Sequence, residues 1–134
     1  MRIRKGMKKD KLACVRLARE DGDSSWKPSD FERSAAVKDA IFLVAEESGK
    51  LTGFILGFVV PTKRTEAMIH ETRVSKSERG KGAGTKLVGA FCAEAFRRGV
   101  KAIYAEIEPK HLKFYKGSCR FRESHRWVEV SRKR

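Results

Sequence analysis

No run in this sequence is long and apolar enough to cross a bilayer. The longest nearly uncharged stretch, residues 51–60, falls well short of the roughly 20 positions a membrane helix needs, and Gly53 and Gly57 interrupt it. It reads instead as a buried strand, and no membrane partner is expected. Behind Met1-Arg2-Ile3-Arg4-Lys5 there is no apolar segment of the kind that drives secretion, so a cytoplasmic location is the default expectation. Cysteine is scarce and odd in number. Cys14, Cys92 and Cys119 stand too far apart for a disulfide framework or a zinc ligand set, and no metal is expected. Cys92 falls on an apolar helical stripe, where packing is its expected role. Low-complexity tracts and linkers are absent too, so the 134 residues are read as a single domain, 1–134, with one core.

Acidic residues are also in short supply. Seventeen Asp and Glu face 31 Lys and Arg, a formal net charge of +14. Such a charge suits nucleic acid or an anionic cofactor. Its distribution is uneven. Cations crowd the first nineteen positions and the stretch after Lys110, whereas Glu20, Asp21, Asp23, Asp30 and Glu32 form an acidic island around Trp26.

What is present is a strand-and-helix pattern. A short strand at Ile3-Arg4-Lys5 precedes a helix over 9–20, its apolar side supplied by Leu12, Val15 and Leu17. Pro28 or Ser29 opens a second helix ending near Asp39. Ile41–Ala45 and Leu51–Val60 form a hairpin turned by Ser48-Gly49-Lys50, and residues 65–74 form a further strand. The clearest helix carries Leu87, Val88, Phe91, Cys92 and Ala95 on one face, and Gly99 stops it. A strand over 101–107 follows, and strand–helix–strand over this length implies a parallel crossover. A short helix at 109–116 and strands around 119–122 and 127–130 complete the pattern. The fold class is α/β, a mixed and mainly antiparallel sheet with one central parallel crossover and helices on both faces.

The informative stretch is Val74-Ser75-Lys76-Ser77-Glu78-Arg79-Gly80-Lys81-Gly82-Ala83-Gly84-Thr85-Lys86-Leu87. Glycines at alternate positions lead from a strand straight into a helix. They let the backbone approach a ligand closely, and a helix start offers unpaired N–H groups and a positive dipole end, which suits a diphosphate. Walker A fails because Gly82 follows Lys81 where Ser or Thr is required, and the dinucleotide fingerprint fails because Leu87 stands where its third glycine belongs.

Arg79-Gly80-Lys81-Gly82-Ala83-Gly84 resembles the acetyl-CoA signature of the GNAT superfamily of N-acetyltransferases. Val74, five residues earlier, is similar to the valine ending that family's fourth strand. Phe114-Tyr115 with Phe121 resembles its "Phe-Tyr, spacer, Gly-Phe" segment, with Arg120 in place of the usual glycine and Glu108 where asparagine is common. The resemblance implies an acetyl-CoA-dependent N-acetyltransferase. The backbone of Thr72, Arg73 and Val74 would pair with the pantetheine arm. Amides of Arg79, Gly80, Lys81, Gly82, Ala83 and Gly84, with Thr85, would hold the pyrophosphate.

Direct transfer needs a neutral amine, and at pH 7 only about one lysine-like amine in 2,500 is neutral, so a base or water chain must take a proton. Tyr115 matches the family's proton donor to the departing thiolate. For the base, His70 is read as sharing a strand face with Thr72 and Val74, and Glu71 as facing the other way; Tyr104 and His111 are weaker candidates. Basic surface near the CoA phosphates and the acidic island near the acceptor side suit a cationic amine, and a homodimer is compatible with this reading. Two rivals stay open: a basic nucleic-acid-binding module, and a CoA-binding protein of the same fold without catalysis.

Overall fold

The computed structural model describes residues 1–20, 22, 27–124 and 128–134. Asp21, Asp23 and Trp26 of the acidic island lie outside the described residues, as does Trp127. Five strands form one sheet in chain order: β1 (Arg2–Lys5), β2 (Ala40–Glu47), β3 (Lys50–Val59), β4 (Glu66–Val74) and β5 (Ala102–Ala105). The first four pair antiparallel and β4 pairs parallel with β5. The β2–β3 hairpin turns on Ser48 and Gly49, both at positive φ, the geometry that matches the twist of the flanking strands.

Alternation along the strands fills two layers. Ile41, Ala45, Ile55, Val59, Ala67 and Ile69 face one side, where Leu87, Val88, Phe91 and Ala95 of α3 (Ala83–Arg97) bury against them. Phe42, Val44, Phe54 and Leu56 face the other, beneath α1 (Lys11–Glu20) and α2 (Pro28–Ala36), with Phe31 meeting Phe54 edge-on at 5.2 Å. On α1 the buried set is Cys14, Val15, Leu17 and Ala18, while Leu12 is 54% exposed, so the helical face is rotated from the one expected.

Among the described residues two expected strands are not formed, around 119–122 and over 128–130. Between Cys119 and Arg122, Arg120 takes a left-handed φ of 60° and the Phe121 amide donates to the Tyr115 carbonyl, which folds this stretch back on the preceding turn. That conformation explains why glycine is usual at position 120. Val128 and Val130 are 85% and 87% exposed and outside any strand. Among the described residues β5 is therefore the edge of the sheet, and the parallel crossover lies at its end instead of at its centre.

Close packing and one buried ion pair hold this arrangement. A Cβ on Gly57 would lie 2.2 Å from the Met68 carbonyl and 2.6 Å from the Phe91 ring, so β3, β4 and α3 meet where only glycine fits. Arg4 donates twice to the Asp10 carboxylate at 2.9 Å and once to Glu46 at 3.2 Å, joining β1, the turn before α1, and β2. Gly57→Ala should lower unfolding free energy by about 3 kcal/mol in urea titrations; an unchanged midpoint would mean the layers can part without cost. The Arg4 guanidinium, with the Met7 amide, holds the Asp10 carboxyl below its ordinary value of 3.8. Its contribution to stability is full above about pH 4 and is lost as pH falls through the lowered pKa. Unfolding curves of Asp10→Asn should show lower stability at pH 7 and a flatter acid limb than the parent.

Candidate active site

The sheet opens between β4 and β5. Their ladder runs from Glu66↔Ala102 to Ile69↔Ala105, whereas β4 continues to Val74. Beyond Ile69 the β4 edge that faces β5 has no strand partner among the described residues. The parting begins at a bulge: Gly57 pairs with Ile69 and Leu56 with Glu71, so His70 is the extra residue. This corrects the expected alternation. Thr72 and Val74 share the α3 face with Ile69, Glu71 and Arg73 share the opposite face, and His70 stands at the switch between them.

A cleft of about 1140 Å³ fills the opening, lined by residues 69–74, the start of α3 and the segment from Ala105 to Tyr115. One mouth is the glycine turn. Gly80 and Gly82 take φ of +79° and +86°, and Gly82 caps α3. The first intrahelical bond is Lys86 N to Gly82 O at 3.0 Å, so the amides of Ala83, Gly84 and Thr85 have no helical carbonyl to serve. A Cβ on Gly84 would press to 3.2 Å from the Phe114 ring. The loop is tied down from outside: Ser75 N donates to Thr52 O, Lys76 N donates to Glu20 Oε2 at 3.0 Å, and Arg79 Nε donates to Val74 O at 3.1 Å.

This geometry redistributes the expected anion contacts. The Arg79 amide bonds the Lys76 carbonyl at 3.4 Å and its guanidinium braces Val74, while the Lys81 ammonium turns to Glu78 at 3.4 Å. The unserved amides and the dipole at the start of α3 are what this turn offers an anion. It fits a diphosphate.

Deeper in the cleft, Tyr115 sits on a single π-turn (Phe114–Ser118) that is framed by Phe114 and Phe121 at 5.0 and 5.4 Å. Its hydroxyl is 3.3 Å from Thr72 Oγ1. Burial pushes the phenol above its ordinary value of 10, so it keeps its proton through the neutral range. His70, Glu71 and His111 reach the same cleft; Tyr104 lines a different hollow, beside Cys92 and Phe121. The Glu71 carboxylate is engaged by Arg73 Nε. Missed from the sequence were the Thr72 hydroxyl and Glu106. The signal for Glu106 was available: Ile103, Ala105 and Ile107 pack beneath α3, which sends residue 106 to the opposite face.

The comparisons agree with this architecture. The sequence profile of the acetyltransferase (GNAT) family matches residues 11–119, and the chain belongs to that family. L-2,4-diaminobutyric acid acetyltransferase from Nocardia farcinica is 33% identical over 67 residues, 50% of this chain and 35% of the relative. The protein of that name from Virgibacillus pantothenticus is 34% identical over 70 residues, 52% of this chain and 44% of the relative. The matched stretches thus span less than half of either relative. Among solved structures, AAC(6′)-Iy in complex with the bisubstrate analogue CoA-S-monomethyl-acetylneamine superposes with a TM-score of 0.82 at 19% identity, covering 99% of this chain and 97% of that one. The shared fold is plain. No helix among the described residues is long and apolar enough to cross a membrane.

If amides and left-handed glycines make the cradle, Gly82→Val should weaken coenzyme A binding about tenfold or more in calorimetric titration. Lys81→Ala should change it by about threefold or less, since that ammonium already has Glu78. The reverse ranking would assign the grip to side-chain charge.

Proposed function

We propose that this protein is an N-acetyltransferase that moves an acetyl group from acetyl-CoA directly to a primary amine. The observation that carries the reading is the parted sheet, with a diphosphate cradle at one mouth and a buried phenol beside Thr72 further in. A ligand of diphosphate, extended amide arm and thioester matches these features in order. The amides of Gly80 and of Gly82 to Thr85 would take the pyrophosphate, and the free edge of Thr72, Arg73 and Val74 would pair with the arm's amides as a missing strand would. Bound acetyl-CoA supplies an activated acyl carbon and a thiolate leaving group.

The chain's own residues then hold the arm, orient the acyl group and manage protons. Tyr115 keeps its proton at neutral pH and donates it to the departing sulfur. On the acceptor side a base must take a proton from the amine. His70, which stands at the bulge and lines the opening, is the candidate for that role, with Glu71 beside it on the opposite face. Imidazole is also the ordinary side-chain base near neutral pH. The acceptors named for the two relatives and for the solved structure's ligand are amines, which supports amine transfer here. The cytoplasm, where acetyl-CoA is made and used, is the compartment this reading assigns.

Tyr115→Phe should lower kcat about 10²-fold or more in a thiol-release assay while leaving coenzyme A affinity within about threefold. Because burial raises the phenol's pKa above its ordinary value of 10, the parent's kcat should not fall between pH 7 and 9 on account of this group. Unchanged kcat in the variant would remove the assigned donor. Salt-sensitive DNA binding with no coenzyme A effect on thermal unfolding would overturn the reading in favour of a nucleic-acid module.

A further inference from the structure

The two faces of the parted sheet differ in charge. On the α3 face lie Tyr115, Thr72 and the amide cradle. On the opposite face lie Glu71 and Arg73 of β4, joined by Glu106 just past the end of β5. An acceptor meeting the acyl group from the side away from Tyr115 must pass this second face.

The carboxylates that line the cleft are not equivalent. Glu71 is paired with Arg73, Glu78 with Lys81, and Glu108 with Lys110. Glu106 is exposed, and among the described residues no cation meets it. This is unusual in a chain with 31 cations and 17 carboxylates, where Asp10, Asp30, Glu32, Asp39 and Glu94 all have basic partners. Glu106 stands one residue beyond the last β4–β5 rung, Ile69↔Ala105, level with the bulge at His70. A negative charge is thus left uncompensated at the point where the acceptor would enter.

We propose that Glu106 is the specificity residue for a second positive charge on the acceptor, and that the acceptor is a diamine. One amino group, deprotonated, attacks the acyl carbon; the carbon–sulfur bond breaks, the new amide forms and the thiol leaves. The other amino group stays an ammonium and is held by the Glu106 carboxylate in a charge-assisted hydrogen bond. The same pairing limits transfer to one amino group. Acetylation removes one of the two charges, so a product turned end for end can no longer place an ammonium on Glu106 and an amine at the acyl carbon together. The inference rests on the N-acetyltransferase reading above.

The test is steady-state kinetics with acetyl-CoA and matched acceptors, 1,3-diaminopropane and 1,4-diaminobutane against propylamine and butylamine, for the parent and Glu106→Gln. The parent should favour diamines, with a preference that weakens as salt rises. In Glu106→Gln the ratio of diamine to monoamine kcat/KM should drop about five- to tenfold, carried by the diamine KM. An unchanged ratio overturns the proposal. So does an equal loss of kcat with both acceptor types and a shifted pH profile, which would make Glu106 a proton acceptor. Turnover of monoamines and diamines with equal KM by the parent overturns the diamine assignment alone. No turnover of any amine by the parent overturns the acetyltransferase reading and this proposal with it.

Discussion

The site depends on one failure of hydrogen bonding: β4 and β5 stop pairing at Ile69↔Ala105 while β4 runs on to Val74. A parallel pair parted midway leaves a row of backbone groups that must find other partners or face water. The molecule holds that gap open by construction. The bulge at His70 turns β4, Phe91 and Leu87 pack α3 beneath it, and the π-turn at Phe114–Ser118 wedges Tyr115 against Thr72. An opening of this kind is ready to receive an extended ligand that completes the ladder.

The glycine turn works with that gap because it is fixed at both ends. Glu20 reaches from α1 to the Lys76 amide and Arg79 bonds back to Val74, so the start of α3 is presented at a set distance from the free edge. The groups the turn offers a bound anion include the main-chain amides at the start of α3. Two of the cations around the turn have local partners, Lys81 at Glu78 and Arg79 at the Val74 carbonyl. The excess positive charge of the chain adds a general field for anions.

Much of this was legible in the sequence for physical reasons. The helix of Leu87, Val88, Phe91 and Ala95 has a period that only one structure satisfies, and Gly80, Gly82 and Gly84 sit where a strand must turn into it. The family membership follows from the same residues. What could not be read was tertiary. A bulge shifts register by one without changing composition, so His70 lost the strand face assigned to it. Residues 119–122 look like a strand by propensity, yet the left-handed Arg120 and the Phe121–Tyr115 hydrogen bond override it. On α1 the expected Val15 and Leu17 are buried, while Cys14 and Ala18, small and weakly apolar, are buried where Leu12 is not. For Glu106 the alternation of Ile103, Ala105 and Ile107 gave the face, but its lack of a cation partner among the described residues is visible only in three dimensions.

The most direct test of the central claim follows backbone amides during coenzyme A titration by heteronuclear NMR. The account predicts that the amides of Thr72 to Val74 and of Gly80 to Thr85 shift and gain exchange protection together, at one common affinity. Coenzyme A that leaves both groups unmoved, or that perturbs only lysine and arginine side chains at the surface, would contradict it.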